Sequence, residues 1–225
     1  MLGGRPKLPV LAEIAGPDPT RDRVWSLRRA DFERLDAPRR RIESLGSVLV
    51  SGGEEETGVV AIALAGAAAA AGRRTVLLEC DLARPRLALG LGLAEAPGLH
   101  EYLRWEATAT ELLQPLALGG AAAAAAPEPL VCVVAGRQAA DPATLLGLQS
   151  FRHMAEKLRH AYDLVVIWGA PLGAGKATLG PLAAEVDGVL VALPREATSR
   201  RAVRAVRGEL RDLPAAPLGA VVVGE

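Results

Sequence analysis

The sequence predicts a three-layer α/β fold: a doubly wound, mostly parallel sheet with helices on both faces. Three observations predict it. Short apolar runs recur at 47–50, 75–80, 130–135, 164–167, 188–193 and 218–223, and continuous hydrophobicity over such lengths marks strands buried on both faces. Helical patterns separate the runs, which is the alternation of a parallel sheet. Half of the 225 residues are hydrophobic, enough for one sizeable core, and only 3% are aromatic, so that core is aliphatic.

In chain order, residues 1–20 hold Pro6, Pro9, Pro17 and Pro19 without hydrophobic period and read as a flexible lead; residues 21–225 read as a single domain. A first helix is expected over 21–35, with Val24, Leu27, Phe32 and Leu35 as its packing stripe. After the 47–50 strand comes a helix over 57–71 made almost wholly of Ala, Val, Ile, Leu and Gly. It has no polar face and must be buried on most sides. The 75–80 strand ends at Asp81, and Thr108-Ala109-Thr110-Glu111 is a capping box opening a short helix. Gly119, Gly120 and the alanines of 121–126, closed by Pro127 and Pro129, read as a loop. Asp141-Pro142 is an N-cap followed by proline at the first helical position. A helix from 150 packs Phe151, Met154, Ala155 and Leu158; another precedes Asp187, and an arginine-rich one starts near 198.

Composition removes several functional classes. With 26 basic and 26 acidic side chains the formal charge is zero, which gives no electrostatic reason for nucleic-acid binding. Cys80 and Cys132 fall in predicted strands and read as buried, reduced thiols; neither they nor His100, His153 and His160 show metal-ligand spacing, so no metal is expected. No basic-then-apolar leader and no run of roughly 18 apolar residues is present, so no membrane span is expected and the protein reads as cytoplasmic.

Chemistry is expected where the first buried strand meets the apolar helix, in Ser51-Gly52-Gly53-Glu54-Glu55-Glu56-Thr57-Gly58. A strand, a glycine turn and a buried helix form the frame that offers helix N-terminal amides to an anion. A working Walker A loop, G-x-x-x-x-G-K-[ST], adds a lysine for the β/γ-phosphates and a hydroxyl for Mg²⁺. Aligned on the helix, Glu56 takes the last glycine's place, Thr57 the lysine's and Gly58 the hydroxyl's. Glu54, Glu55 and Glu56 suit a helix N-terminus as phosphate does. Two such charges at about 4 Å repel by at most about 4 kcal/mol at an effective dielectric near 20. The expectation is a P-loop NTPase-like fold of the deviant Walker A class whose phosphate loop is vestigial, with no ATP or Mg²⁺ as cofactor.

The run Arg73-Arg74-Thr75-Val76-Leu77-Leu78-Glu79-Cys80-Asp81-Leu82-Ala83-Arg84-Pro85-Arg86, with Pro97-Gly98-Leu99 and Tyr102-Leu103, resembles the bacterial tyrosine kinase (BY-kinase) family of Min/ParA-like P-loop proteins. Ala135-Gly136, the stretch 140–146, Tyr162-Asp163 before its strand, and Val186-Asp187-Gly188 extend the resemblance over about 21–224. It implies a place in capsule and exopolysaccharide export. It also implies that Glu79 and Asp81 correspond to two aspartates serving Mg²⁺ and the phosphoacceptor hydroxyl, and that Trp168 stands for the Walker B aspartate. The family's adenine-contacting Asn corresponds to about Val223. Its oligomerisation motif, E-x-x-R-x-x-R, corresponds to Asp22, Trp25 and Arg28. No tyrosine-rich stretch precedes Glu225, the tyrosines being Tyr102 and Tyr162.

Two further features belong to the candidate sites. Gly173-Ala174-Gly175-Lys176 is a near miss to a phosphate loop, and Lys176 is placed to reach an anion there. Arg200, Arg204, Arg207 and Arg211 share one helix face, whose bland reading is a solvated surface salt-bridged to its neighbours. The resulting expectation is a catalytically impaired, regulatory or scaffolding BY-kinase-like protein. By resemblance it docks on the cytoplasmic tail of a membrane polysaccharide copolymerase, peripheral at the inner face of the membrane. Asp22, Trp25 and Arg28 offer a homo-oligomer surface, and the arginine face a docking surface. Two alternatives stay open: an active ATP-dependent protein-tyrosine kinase using Asp81 and Glu79 on Mg²⁺ with Lys176 or Arg84 as phosphate cation, and a Min/ParA-type positioning ATPase.

Overall fold

Val48, Leu49 and Val50 have no exposed surface, and the same holds for Val76, Leu77 and Leu78 and for Val189, Leu190 and Val191. Such runs have no polar side to turn to water, so each becomes an interior strand. The structure, a computed structural model, describes residues 8–15, 34–117 and 129–224. Its strands are β1 (Val10–Ala15), β2 (Ser47–Gly52), β3 (Thr75–Glu79), β4 (Gln114–Leu116), β5 (Leu130–Val133), β6 (Leu164–Trp168), β7 (Val189–Pro194) and β8 (Pro217–Gly224). They form one eight-stranded sheet in the order β1-β8-β7-β2-β6-β3-β5-β4. All neighbours run parallel except β4, which is antiparallel to β5.

Helices α1 (Asp36–Arg41), α2 (Glu56–Ala70) and α3 (Leu87–Leu91) share one face. The helices α4 (Leu99–Leu103), α5 (Pro142–Leu146), α6 (Gln149–Ala161), α7 (Lys176–Ala184) and α8 (Arg200–Arg211) cover the other. Each side has its own aliphatic cluster, giving three layers. In α2, twelve of the fifteen residues are buried, as the missing polar face requires. In α6 only Phe151, Met154, Ala155 and Leu158 are buried, the stripe that its spacing sets. Asp141 caps α5 by accepting from the Thr144 N–H.

The structure corrects the first stretch of the chain. Val10–Ala15, expected within a flexible lead, is the edge strand β1, paired in parallel with β8 and burying Ile14. The helix expected over 21–35 lies outside the described residues except at its end, where Leu35 is fully buried and α1 begins one residue later. The alanine-rich insert at 119–126 also lies outside them. Thr108 and Glu111 do form the capping box, but over a single 3₁₀ turn, Ala109–Leu112.

Candidate functional site

Parallel pairing sets Val50 beside Trp168, Trp168 beside Glu79, and Gly52 beside Ala192. The C-terminal ends of β2, β3, β6 and β7 therefore meet at one edge of the sheet, where α/β folds of this kind bind ligands. The link from β2 to α2 is a single tight turn, Gly53 to Glu55. Gly53 donates its N–H to the Ala192 carbonyl at 2.9 Å, and a Cβ at Gly52 would collide with that same carbonyl, so this approach admits only glycine. Thr57, which the sequence alignment on the helix sets at the Walker lysine's place, is buried and donates its hydroxyl to the Gly53 carbonyl at 2.5 Å. The Glu56 carboxylate folds over the Gly53 α-carbon, where an added Cβ would strike it. The turn is closed by its own side chains.

Of the three glutamates, Glu54 pairs with an arginine and Glu56 folds onto the turn. Glu54 reaches out to an ion pair with Arg84, which holds its carboxyl below the usual carboxylate range, first through the hydrogen bond and then through charge. Arg84 Nε also lies 3.7 Å from Asp81 Oδ2. One guanidinium thus spans the turn after β2 and the turn after β3. Asp81 is 5% exposed; burial raises its pKa against the pull of Arg84, and its Oδ1 has no hydrogen-bond partner.

Glu79 is fully buried, and both of its oxygens are taken by the backbone. Oε1 accepts from the Arg86 and Leu87 N–H groups at 2.6 and 2.8 Å, and Oε2 from the Ala135 N–H at 2.9 Å. Burial pushes its pKa up to about 7 while those three donors pull the other way. The extra methylene relative to aspartate carries the carboxylate to the start of α3 and the end of β5. Trp168 is 1% exposed, the largest fully buried side chain among the described residues, and lies in the apolar cluster of α2 and α3.

Mg-ATP, which the fold class implies, is a poor fit to these groups. The orphaned Asp81 Oδ1 is a suitable cation ligand, but the Thr57 hydroxyl, both Glu79 oxygens and Arg84 already have partners inside the protein.

No protein-family model matches the chain. A tyrosine-protein kinase ptk from Acinetobacter johnsonii is 24% identical over 202 residues, 89% of this chain and 25% of that protein. The chain therefore spans about a quarter of the length of this curated relative. The kinase domain of the Escherichia coli tyrosine kinase ETK superposes with a TM-score of 0.80 at 18% identity, covering 96% of this chain and 90% of that domain. The fold is that of the BY-kinase domains. The septum site-determining protein MinD from Pyrococcus horikoshii OT3, complexed with Mg-ADP, follows at a TM-score of 0.59 and 16% identity, covering 78% and 69% of the two chains. This chain thus shares its fold with MinD as well.

Within this BY-kinase fold the remaining candidates scatter. Lys176 is exposed and opens α7 on the sheet face opposite α2, with no hydrogen bond or ion pair to the 53–57 turn among the described residues. Asp22, Trp25 and Arg28 lie outside the described residues, as does the Arg200 side chain. Val223 is buried in β8 beside Ile14 of β1. Arg204 and Arg211 are exposed, but Arg207 is half-buried with its Nε sequestered, so the arginine face is not uniformly solvated. Nor is it salt-bridged to its neighbours: among the described residues no carboxylate pairs with Arg201, Arg204, Arg207 or Arg211.

Sequence reasoning missed a third buried carboxylate. Glu101 accepts from the Gly98 N–H at 2.8 Å and from Arg137 Nε at 2.8 Å, joining the start of α4 to the turn after β5. Burial alone would raise its pKa, but the Arg137 side chain and the Gly98 and Arg137 amides outweigh it and hold the carboxyl at about 2. Gly98 and Glu101 stand at capping-box spacing, a signal present in the sequence. Gly136, at φ +81, gives the room, since a Cβ there would meet Glu101 Oε2.

Proposed function

We propose that this chain is a BY-kinase-like protein that has given up phosphotransfer and serves capsule or exopolysaccharide assembly as a binding partner, recruited to the cytoplasmic tail of a membrane polysaccharide copolymerase. The observation that carries the reading is the Glu54–Arg84–Asp81 bridge across the nucleotide edge. In a phosphate-binding loop a cation at this place would face the ligand, and here its charge is spent on two carboxylates of the protein. The Thr57 hydroxyl turned onto Gly53 and the buried Trp168 at the β6 end support the same reading. The pathway rests on the family resemblance, and fold alone does not license it. Peripheral recruitment agrees with the helices, since among the described residues none is long and apolar enough to cross a membrane.

The active-kinase alternative draws on one observation, the unpartnered Asp81 Oδ1. Titration calorimetry with Mg-ATP decides between the two. The proposal expects no heat of binding up to about millimolar ligand; a dissociation constant near 1 μM, about 8 kcal/mol of binding free energy, would overturn it.

A further inference from the structure

The opposite end of the sheet, away from the degraded nucleotide edge, carries an opening of its own. The C-terminal half of α8, the 213–217 turn and Leu8 before β1 enclose a cavity of about 310 Å³. Its walls are apolar, from Leu8, Leu210, Leu213, Pro214 and Pro217, and Arg207 and Arg211 stand in the lining. An apolar cavity of ~150 Å³ already takes benzene, so this one has room for a large side chain. Arg207 is half-buried, and its sequestered Nε has no hydrogen-bond partner. Along α8, Arg201 and Arg204 likewise lack a carboxylate among the described residues, although Glu209 and Asp212 belong to the same segment. Elsewhere the arginines are used: Arg39, Arg74, Arg84, Arg137 and Arg159 all hold ion pairs. In a chain with equal numbers of acidic and basic groups, one helix carries arginines that pair with no carboxylate among the described residues, beside an apolar hollow.

We propose that the α8–β8 cavity docks an acidic peptide segment of a partner protein, with one aromatic or aliphatic side chain seated in the hollow and flanking carboxylates on Arg204, Arg207 and Arg211. This deepens the reading of the chain as a binding partner and rests on it. Charge complementarity names the acid, and the concave apolar floor names the anchor. Apolar anchors in desolvated pockets carry most of the affinity of such interfaces, while a lipid headgroup layer would leave the hollow unfilled. The arginines set approach and register, so binding weakens with salt.

The test is selection of a phage-displayed random peptide library on the full chain, followed by fluorescence anisotropy with the strongest peptide. Enriched peptides are expected to combine acidic residues with an aromatic or aliphatic anchor. Their affinity is expected to fall about tenfold or more in the double variant Arg207→Gln with Arg211→Gln, and as much in Ala216→Trp, which fills the hollow without changing charge. Circular dichroism melts check that both variants are folded. No enrichment, enrichment of peptides without acid or anchor, or affinity unchanged in either folded variant overturns the proposal. Arginine-dependent binding to phosphatidylglycerol vesicles without peptide capture also overturns it, in favour of a membrane. The outcome is separable from the nucleotide question: a silent Mg-ATP titration stands if the peptide selection fails, and ATP binding would leave a mapped peptide site in place.

Discussion

Both oxygens of Glu79 are taken up by backbone N–H groups, so this buried carboxylate ties together β3, α3 and β5. Leaving a buried donor unpaired costs roughly 1–3 kcal/mol, and truncation adds a cavity. Glu79→Ala is therefore expected to destabilise by about 3 kcal/mol or more. Glu79→Gln keeps an oxygen for Arg86 and Leu87 but sets an NH₂ against the Ala135 N–H, and should cost less. Urea unfolding of the two variants checks the order; equal losses would mean that the hydrogen bond from Ala135, lost in both, and not cavity formation, dominates. Glu101 gives a pH signature of defined sign. Its folded pKa of about 2 lies below the ordinary 4.5, so the unfolded chain takes up the proton first. Its contribution is fully present above 4.5 and is lost as pH falls through about 2. Glu101→Gln should flatten the dependence of the urea midpoint on pH below 4.5, and an unchanged slope would count against this assignment. The Glu101–Arg137 link spans 36 positions, so no local pattern shows it, whereas the Gly98–Glu101 spacing does.

Among the elements, the β2–α2 joint is the least forgiving. The Gly52 α-carbon faces the Ala192 carbonyl of β7 with no space for a methyl group, and both partners are interior strands. Gly52→Ala has to part β2 from β7 and is expected to destabilise by several kcal/mol, like other overpacked core sites. A thermal melt within a few degrees of the parent would overturn the geometry described here. The elements legible from sequence were those with strong physical signals. Fully buried strands read as unbroken apolar runs, α2 as a helix with no polar side, and α6 as a clear stripe. Those that escaped were short or half-exposed. The helices α3 and α4 have five residues each, too few for a period to appear; β4 has three and includes Pro115; β1 carries Glu13 and leaves Val10 exposed. At the C-terminal edge of the sheet, the residue types were legible, but their partners were not. Arg84 finding Glu54, and Thr57 turning onto Gly53, depend on how two turns converge across the sheet.

At the scale of the molecule, the sheet separates two ends of different character: the edge with the tight β2–α2 turn and, at the start of β8, an apolar hollow lined in part by Arg207 and Arg211, which pair with no carboxylate among the described residues. The edge strand β1 guards one side of this sheet by covering β8, whose Val221 and Val223 are buried in its presence. Deleting residues 1–15 is expected to bare that strand edge and cause concentration-dependent self-association, since unpaired parallel edges are templates for further pairing. Size-exclusion chromatography over a dilution series checks this, and an unshifted elution volume would show that β8 needs no cover. The burial of Trp168 also has an optical consequence. Trp105 is 83% exposed and Trp168 only 1%, so the two indoles sit in water and in hydrocarbon. With Trp25 and Trp105 exchanged for phenylalanine, Trp168 becomes a single fluorophore beneath the closed turn, emitting at short wavelength while the edge stays shut. Any nucleotide, partner or substitution that pries that edge open must then announce itself as a red shift, before the rest of the fold has moved.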